Sequence, residues 1–132
     1  MPSKILIVDD CQTARMVERV ILQGLGYQVI PTADRIQALA ALKENSFDLI
    51  IIDYNMPDIS GIDLAQQIME EKLAPQCPIA LFTSWKTPEL DQQCKDAGIN
   101  ACLSKNDFRS DHFVGDLQFV IQGGIEWDKK AS

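Results

Sequence analysis

The chain has 132 residues and a mass of 14.7 kDa, which is the size of a single domain. Its hydrophobic content of 46% is that of an ordinary globular protein and excludes a disordered or collagen-like chain. Nineteen acidic and twelve basic side chains give a formal net charge of −7, which argues against nucleic acid or an anionic membrane surface as the partner. The longest apolar run, residues 38–42, is far shorter than the roughly 20 residues of a membrane span. The first residues also lack the pattern of a signal peptide.

Five short apolar runs alternate with stretches of helical periodicity. The runs at residues 4–8, 28–30, 49–52, 79–82 and 101–103 are rich in β-branched residues and too short for helices, so they predict strands. The stretches between and after them repeat apolar residues every three or four positions and predict helices. In chain order these stripes are Ala14, Val17, Ile21 and Leu25; a weaker one of Ile36, Leu39, Ala40 and Lys43; Leu64 and Ile68; Leu90, Cys94 and Ala97; and Phe113, Leu117, Val120 and Ile121.

Capping residues mark the same boundaries. Ser60 followed by Asp63 is a capping-box pattern that predicts the start of the third helix. Thr87 before Pro88 places a cap residue ahead of a proline at the first helical position, and Gly98 follows the fourth stripe, where a left-handed closing residue is favoured. Regular alternation of strand and helix predicts an α/β fold, a doubly wound five-stranded parallel sheet with helices on both faces.

Polar side chains follow four of the predicted strands. Asp9 and Asp10 end the first strand, Asp53 the third, Thr83 the fourth and Lys105 the fifth, whereas the second strand ends without a charge. A strand order of 2-1-3-4-5 would put the second strand at an edge and gather the other four carboxyl ends. Functional crevices of open parallel sheets lie at these ends.

Three carboxylates in one cleft create an electrostatic problem. Two like charges about 4 Å apart repel by roughly 4 kcal/mol at an effective dielectric of about 20, and Lys105 alone cannot neutralise three acids. Either one pKa is raised or a divalent cation binds, and an all-oxygen site suits Mg²⁺. Lys105 and Thr83 then fit as partners for phosphoryl oxygens, with Asp53 as the nucleophile that becomes an aspartyl phosphate.

These motifs resemble the receiver domains of two-component response regulators. The resemblance covers residues 4 to about 122 and is based on the segments Ile-Leu-Ile-Val-Asp-Asp (5–10), Asp-Tyr-Asn-Met-Pro (53–57) with Gly61, Leu-Phe-Thr-Ser (81–84), and Leu-Ser-Lys (103–105) with Gly98. It implies a flavodoxin-like (βα)5 fold over a domain of residues 1–122. Residues 123–132 would be a tail or the start of a linker.

The resemblance also implies a mechanism. Asp53 would accept phosphate from a histidine kinase or a phosphotransfer protein. Asp10 and Asp53 would bind Mg²⁺ by their side chains, Asn55 by its backbone carbonyl, and Asp9 through water. Thr83 would turn toward the phosphoryl group.

Lys105 would then pair with the bound phosphoryl group. The domain would be a signalling module and not a turnover enzyme, with protein contacts as its output and no nucleic-acid or membrane partner. The expected partner surface is helix 4, strand 5 and helix 5, which contains Lys95, Asp96, Asp107, Arg109 and Asp111.

The sequence departs from the family pattern at three positions near the site. Cys102 stands where the family often has an aromatic residue. Asn106 replaces the proline that usually follows the lysine, so we expect a trans Lys105–Asn106 bond and a rearranged loop at residues 106–111. Trp85 is unusually large for its position, and we expect its ring to restrict the approach of water to Asp53.

Three other functions share parts of this pattern. An aspartate-nucleophile phosphatase of the haloacid dehalogenase type needs a second acid where this chain has Asn55. A flavin-binding module would need a phosphate loop after the first strand, where Asp9 and Asp10 would repel phosphate. A receiver that binds partners without phosphate would not need the full set of site residues present here.

The four cysteines and the single histidine do not form a familiar metal-binding pattern. Cys11, Cys77, Cys94 and Cys102 include no CxxC pair, and His112 alone cannot complete a zinc site of known spacing. We therefore expect reduced, mostly buried thiols in a cytoplasmic protein, and a solvated His112.

Overall fold

A computed structural model describes residues 3–129 and confirms the alternation of strands and helices. The strands are β1 Lys4–Val8, β2 Gln28–Thr32, β3 Leu49–Asp53, β4 Ile79–Thr83 and β5 Ala101–Ser104. The α-helices are α1 Gln12–Gly24, α2 Arg35–Glu44, α3 Gly61–Glu70, α4 Pro88–Ala97 and α5 Asp111–Ile121. Two short 3-10 helices, Lys105–Asp107 and Glu126–Asp128, follow β5 and α5.

The strands form one parallel sheet in the order β2-β1-β3-β4-β5, which confirms the doubly wound, flavodoxin-like α/β fold. Every residue of β3 is buried, as expected for a central strand covered on both faces. The register aligns Val8 with Ile52, and Asp53 with Phe82. It therefore sets the carboxyl ends of β1, β3 and β4 side by side.

Two hydrophobic cores cover the two faces of the sheet. Helices α2, α3 and α4 pack on one face, and α1 and α5 on the other. The second core contains an aromatic cluster of Phe82, Phe108 and Phe113, with ring centroids 4.7–5.8 Å apart. This cluster joins the end of β4 to the loop after β5 and to α5. It thus gives the strand ends around the site a rigid support.

The predicted helix boundaries are confirmed. The Ser60 side chain accepts a hydrogen bond from the Asp63 N–H at 3.1 Å, and the Thr87 side chain accepts one from the Leu90 N–H. Gly98 closes α4 with a φ of 84°, the left-handed region that glycine adopts without strain.

The sequence pattern misplaces the buried face of α1. The predicted stripe includes Val17 and Leu25, but these side chains are 38% and 41% exposed, and the buried residues are Glu18 and Leu22. The helix is therefore turned so that an acidic side chain faces the end of the sheet. The physical reason is that Glu18 lies at the polar carboxyl end of the sheet, 3.8 Å from Lys105 Nζ, where a polar side chain meets other polar groups.

The pattern also misplaces the buried face of α2. Ile36 is 75% exposed, whereas Ala38 and Leu42 are buried. This helix has apolar residues on more than one face, so periodicity alone does not select which face meets the sheet. Packing selects the face that presents the small side chain of Ala38.

The thiols and the histidine follow the expectation in part. All four cysteines are free; Cys94 and Cys102 are buried, Cys77 is half-buried and Cys11 is exposed. His112 lies in the first turn of α5 with an exposed side chain, 3.2 Å from Asp116. Within residues 3–129, none of the helices combines the length and the hydropathy that crossing a bilayer requires.

Candidate functional site

Three carboxylates meet at the ends of β1 and β3, as the sequence predicts. Oxygen atoms of Asp9, Asp10 and Asp53 lie within 4.8 Å of one another. Asp9 and Asp53 are buried, whereas Asp10 is exposed to solvent. Ligand atoms on one Mg²⁺ lie at most about 4.2 Å apart, because Mg–O distances are about 2.0–2.1 Å. The spacing therefore fits a hydrated Mg²⁺ that binds some of these carboxylates directly and others through water.

Lys105 reaches into this cluster from the end of β5. Its Nζ donates a hydrogen bond to Asp9 Oδ2 at 2.9 Å and lies 3.3 Å from Asp53 Oδ1. Burial alone would lower the pKa of Lys105, but its bond to Asp9 and the charge of Asp53 raise the pKa above its usual value. The lysine is therefore a permanent cation next to the proposed phosphate acceptor.

The pKa values of the two buried aspartates are shifted in opposite directions. Burial, together with the negative charge of Asp9, raises the pKa of Asp53 to about 6 despite the nearby lysine. Burial would also raise the pKa of Asp9, but hydrogen bonds from Glu18, Lys105 and the Cys11 N–H lower it below the usual value. Asp9 is thus the better anion, and Asp53 is an ionised but destabilised carboxylate near neutral pH, as a nucleophile should be.

Glu18 is a fourth carboxyl group that the sequence analysis missed. Its Oε2 lies 3.8 Å from Lys105 Nζ, and its buried Oε1 lacks a hydrogen-bond partner among the described residues. Burial, and then the hydrogen bond and charge of Asp9, raise its pKa to about 9. The sequence signal that could have revealed it is the spacing. Glu18 lies four residues after Ala14 and four before Leu22, so it shares a helical face with two apolar residues.

Asp53 is held in place by backbone contacts of the loop that follows it. The Asn55 N–H donates to Asp53 Oδ1 at 3.4 Å, and the Tyr54 N–H donates to the Phe82 carbonyl at 2.9 Å. At Gly61, any added Cβ would lie 2.5 Å from the Asp53 carbonyl oxygen. Glycine is therefore needed where α3 begins next to Asp53.

Thr83 ends β4 in a buried position, and its hydroxyl is bonded to the loop that follows. Its Oγ1 accepts a hydrogen bond from the Trp85 N–H at 3.1 Å. The Trp85 side chain is 79% exposed, so in this state it shields little of the site from water, contrary to the expectation. The strand ends at Thr83 and the chain bends at Ser84, so strand alternation does not extend to Trp85.

The loop after β5 has the trans Lys105–Asn106 bond that the sequence predicts, and its rearrangement stays a prediction. Among residues 3–129 there is no cis peptide bond, so the Lys105–Asn106 bond is trans. Lys105 begins a 3-10 turn that ends at Asp107. Asn106 has a side-chain hydrogen-bond donor, which proline lacks. Its Nδ2 donates to the Ser84 carbonyl at 3.1 Å, and this bond joins the loops after β4 and β5.

The predicted partner face stays a prediction, and β5 at its centre is covered. The five polar residues expected on it are all exposed: Lys95, Asp96, Asp107, Arg109 and Asp111. Cys102, which occupies the position that is often aromatic in the family, is buried in the core. Residues 123–129 fold back from α5 and bond to the outer edge of β5. The domain boundary at residue 122 stays a prediction.

Comparison with known proteins gives a consistent result. The family model of the response regulator receiver domain matches residues 5–115. The chemotaxis protein CheY-3 of Vibrio cholerae is 35% identical over 103 residues, which cover 77% of this chain and 79% of that protein. The virulence sensor protein BvgS of Bordetella pertussis is 37% identical over 107 residues, which cover 77% of this chain but only 9% of BvgS.

A solved structure agrees with these relatives. The receiver domain of a sensor histidine kinase from Pseudomonas aeruginosa PAO1 superposes with a TM-score of 0.79 and 28% identity, covering 92% of this chain and 99% of that one. That structure contains a magnesium ion coordinated in the active-site cleft.

Proposed function

This chain belongs to the family of response regulator receiver domains, and from that premise we propose that it accepts a phosphoryl group on Asp53 from a histidine kinase or a histidine phosphotransfer protein. The observation that supports this most directly is the cluster of Asp9, Asp10 and Asp53 within 4.8 Å around one lysine. Several carboxylates beside one lysine have more negative charge than the lysine can neutralise. Such a site is suited to binding Mg²⁺ and a phosphoryl group together.

The transfer itself needs little beyond positioning. An oxygen of the Asp53 carboxylate attacks phosphorus, a P–O bond forms, and the P–N bond of the donor phosphohistidine breaks with its electron pair left on the imidazole nitrogen. Lys105, now 3.3 Å from Asp53 Oδ1, pairs with a phosphoryl oxygen. The Thr83 hydroxyl turns from the Trp85 N–H and donates to another phosphoryl oxygen.

Bound Mg²⁺ would neutralise the crowded carboxylates and the oxygens of the incoming phosphoryl group. We assign its direct ligands to the side chains of Asp10 and Asp53 and the backbone carbonyl of Asn55, with Asp9 acting through water. The buried Asp9 is already engaged by Lys105 and the Cys11 N–H, which favours the indirect role.

The product is a changed binding surface and not a released metabolite, so we propose a signalling domain and not a turnover enzyme. Its output is contact with a downstream protein through α4, β5 and α5. The four free thiols suit the reducing cytoplasm, where a histidine-kinase donor would act.

Labelling with a small phosphodonor tests the proposal. Acetyl phosphate with Mg²⁺ should add the mass of one phosphoryl group to the intact protein, and a chelator or Asp53→Asn should abolish the addition. Asp58→Asn is the matched control, because Asp58 is an exposed aspartate in the same loop. An adduct that survives in Asp53→Asn, or that forms equally well without Mg²⁺, would refute the assignment.

A further inference from the structure

The chain folds back after α5 through a turn that requires two glycines. Gly123 has a φ of +91°, a conformation that other residues rarely adopt. At Gly124, a Cβ would lie 2.5 Å from the Phe119 carbonyl oxygen and 2.6 Å from the Phe119 ring. The pair therefore forms a specific turn that directs residues 125–129, which we term the edge segment, along β5.

The edge segment satisfies free backbone groups of β5 and of the two residues before it. The Glu126 N–H donates to the Asn100 carbonyl at 2.8 Å, and Glu126 Oε1 accepts from the Cys102 N–H at 3.0 Å. The Trp127 indole Nε1 donates to the Ile99 carbonyl at 2.8 Å while its ring packs on the core beneath α4. An exposed edge strand is an open site for pairing, and these residues occupy it.

Two lysines hold the edge segment by charge. Lys86, in the loop after β4, pairs with Asp91 and with Glu126, the latter at 3.0 Å, and its Nζ lies 5.9 Å from the centroid of the Trp127 ring. Lys129 pairs with Asp116 of α5 at 3.2 Å. The segment thus crosses the α4–β5–α5 face, from α5 to the loop before α4.

The same loop is connected to the phosphorylation site. Trp85, which precedes Lys86, donates its N–H to Thr83 Oγ1, and Asn106 donates to the carbonyl of Ser84. When the Thr83 hydroxyl turns to a phosphoryl group on Asp53, the Trp85 N–H loses its acceptor. We expect the position of Lys86, and with it the pair to Glu126, to change as a result.

We propose that the edge of β5 is a docking groove for a partner segment that presents a carboxylate followed by an aromatic ring, and that the edge segment occupies this groove as a competitor until Asp53 is phosphorylated. The inference rests on the proposed function, because it assigns the regulation of that output face. It follows from the contacts of Glu126 and Trp127, which any replacement must reproduce.

The chemistry of the partner follows from the groups that lose their contacts when the edge segment is displaced. Displacing it exposes the Cys102 N–H, the Ile99 carbonyl and the ammonium of Lys86. A carboxylate satisfies the first and the third of these groups, and an indole or phenol satisfies the second while covering apolar surface. A groove of about 360 Å³ beside the segment, bordered by Ser104 and His112, offers a first contact for such a partner.

Fluorescence of Trp127 in the full chain tests the release. The chain has two tryptophans, so Trp85→Phe leaves Trp127 as the reporter. Adding Mg²⁺ and beryllofluoride, a phosphoryl mimic, should increase acrylamide quenching of Trp127 several-fold and speed hydrogen exchange of the Cys102 amide, since that N–H loses its acceptor.

The outcomes separate this inference from the proposed function. A beryllofluoride adduct on Asp53, detected by fluorine NMR, with unchanged Trp127 quenching and Cys102 exchange overturns the inference alone. Failure of beryllofluoride to bind, or binding that persists in Asp53→Asn, overturns the proposed function and this coupling with it.

A second measurement uses the reciprocity of coupling. If the edge segment stabilises the unphosphorylated state, Glu126→Gln should bind beryllofluoride several-fold more tightly than the unaltered chain. Asp128→Asn is the matched control, because Asp128 lies in the same segment, is exposed and forms no ion pair among residues 3–129. Equal affinities for Glu126→Gln and the unaltered chain would contradict the coupling.

A peptide tests the groove itself. In the chain with Glu126→Gln and Trp127→Ala, a synthetic peptide of residues 123–129 should shift the amide resonances of Ile99 and Cys102. A control peptide of residues 123–129 that contains Glu126→Gln and Trp127→Ala should leave these amide resonances unshifted. Identical shifts with both peptides, or with neither, would overturn the assignment of the partner chemistry.

Discussion

The acidic cleft and the outer edge of β5 differ in how their charged side chains are paired. In the cleft, three buried carboxyl groups surround the single ammonium of Lys105. On the edge, each acid lies against a lysine: Lys86 pairs with both Asp91 and Glu126, and Lys129 pairs with Asp116. The cleft therefore has unsatisfied negative charge that a cation can neutralise, whereas the edge is closed by contacts that are individually weak.

Under the proposed function, this difference would let one domain both accept a ligand and respond to it. Buried, unbalanced charge has a large free-energy cost that binding can relieve. Exposed ion pairs contribute little each and are screened by salt, so a segment held by them is easily released. Substitutions in the cleft should therefore have larger effects than substitutions on the edge.

Removing an acid and removing the cation from the cleft should have opposite effects on metal binding. Asp10→Ala should lower Mg²⁺ affinity by more than about tenfold, since even indirect ligand contacts contribute about that much. Lys105→Ala should bind Mg²⁺ as well as or better than the unaltered chain, because a positive charge is lost, while phosphorylation or its signalling effect fails. Calorimetric titration measures both, and equal weakening in the two variants would contradict the division of roles.

Replacing Glu18 should stabilise the metal-free protein. Its pKa is raised from 4.5 to about 9, so between these values the folded chain binds more protons than the unfolded chain, and the free energy of unfolding falls as pH rises. Glu18→Leu should remove this slope and raise the free energy of unfolding by about 1–4 kcal/mol near neutral pH. Urea unfolding with a chelator present is the measurement.

Glu44→Leu serves as the control for that experiment, because Glu44 is an exposed glutamate at the end of α2. It should leave the pH dependence unchanged. A slope that persists in Glu18→Leu would show that other groups produce it.

Two glycines near the two regions should respond to alanine in opposite directions. Gly61→Ala should destabilise the fold by about 1–3 kcal/mol, because the added Cβ would lie 2.5 Å from the Asp53 carbonyl oxygen. Gly115→Ala in α5 should stabilise it by about 0.5–1 kcal/mol, since no atom lies within 4 Å of its Cβ position. Thermal unfolding distinguishes them, and a neutral Gly61→Ala would mean that α3 can shift away from Asp53.

The smallest effect is expected on the edge. Lys129→Gln removes the pair to Asp116 and the contact of its Nζ with the Phe119 ring, 4.5 Å from the centroid. The free energy of unfolding should fall by less than about 1 kcal/mol, and the effect should shrink in high salt. Lys95→Gln is the control, because Lys95 is an exposed lysine of α4. If Lys129→Gln lowers the free energy of unfolding by much more than about 1 kcal/mol, or by an amount that salt leaves unchanged, the contrast with the cleft is wrong.

Much of the fold could be predicted from the sequence because it depends on local patterns. Short β-branched runs become strands wherever they are buried, and residues such as Ser60 and Thr87 cap the helix that follows them. Parallel alternation then brings the carboxyl ends of strands to one edge of the sheet. The meeting of Asp9, Asp53 and Lys105 follows from this geometry alone.

Tertiary structure decided which face of each helix is buried. Apolar residues surround much of α1 and α2, so periodicity favoured Val17 and Ile36, both of which are exposed. Glu18 is buried at the polar carboxyl end of the sheet, beside Asp9 and Lys105, where its raised pKa keeps it uncharged. A side chain's burial depends on what lies opposite, and sequence periodicity contains no information about that.

The path of residues 123–129 was decided in the same way. Two adjacent glycines are equally typical of a flexible linker and of a tight turn, so the sequence alone determined only that the chain can bend there. The turn forms because the edge of β5 offers the free N–H of Cys102 and the carbonyls of Ile99 and Asn100, which Glu126 and Trp127 satisfy. Those groups become an edge only once the five strands have assembled in their final order.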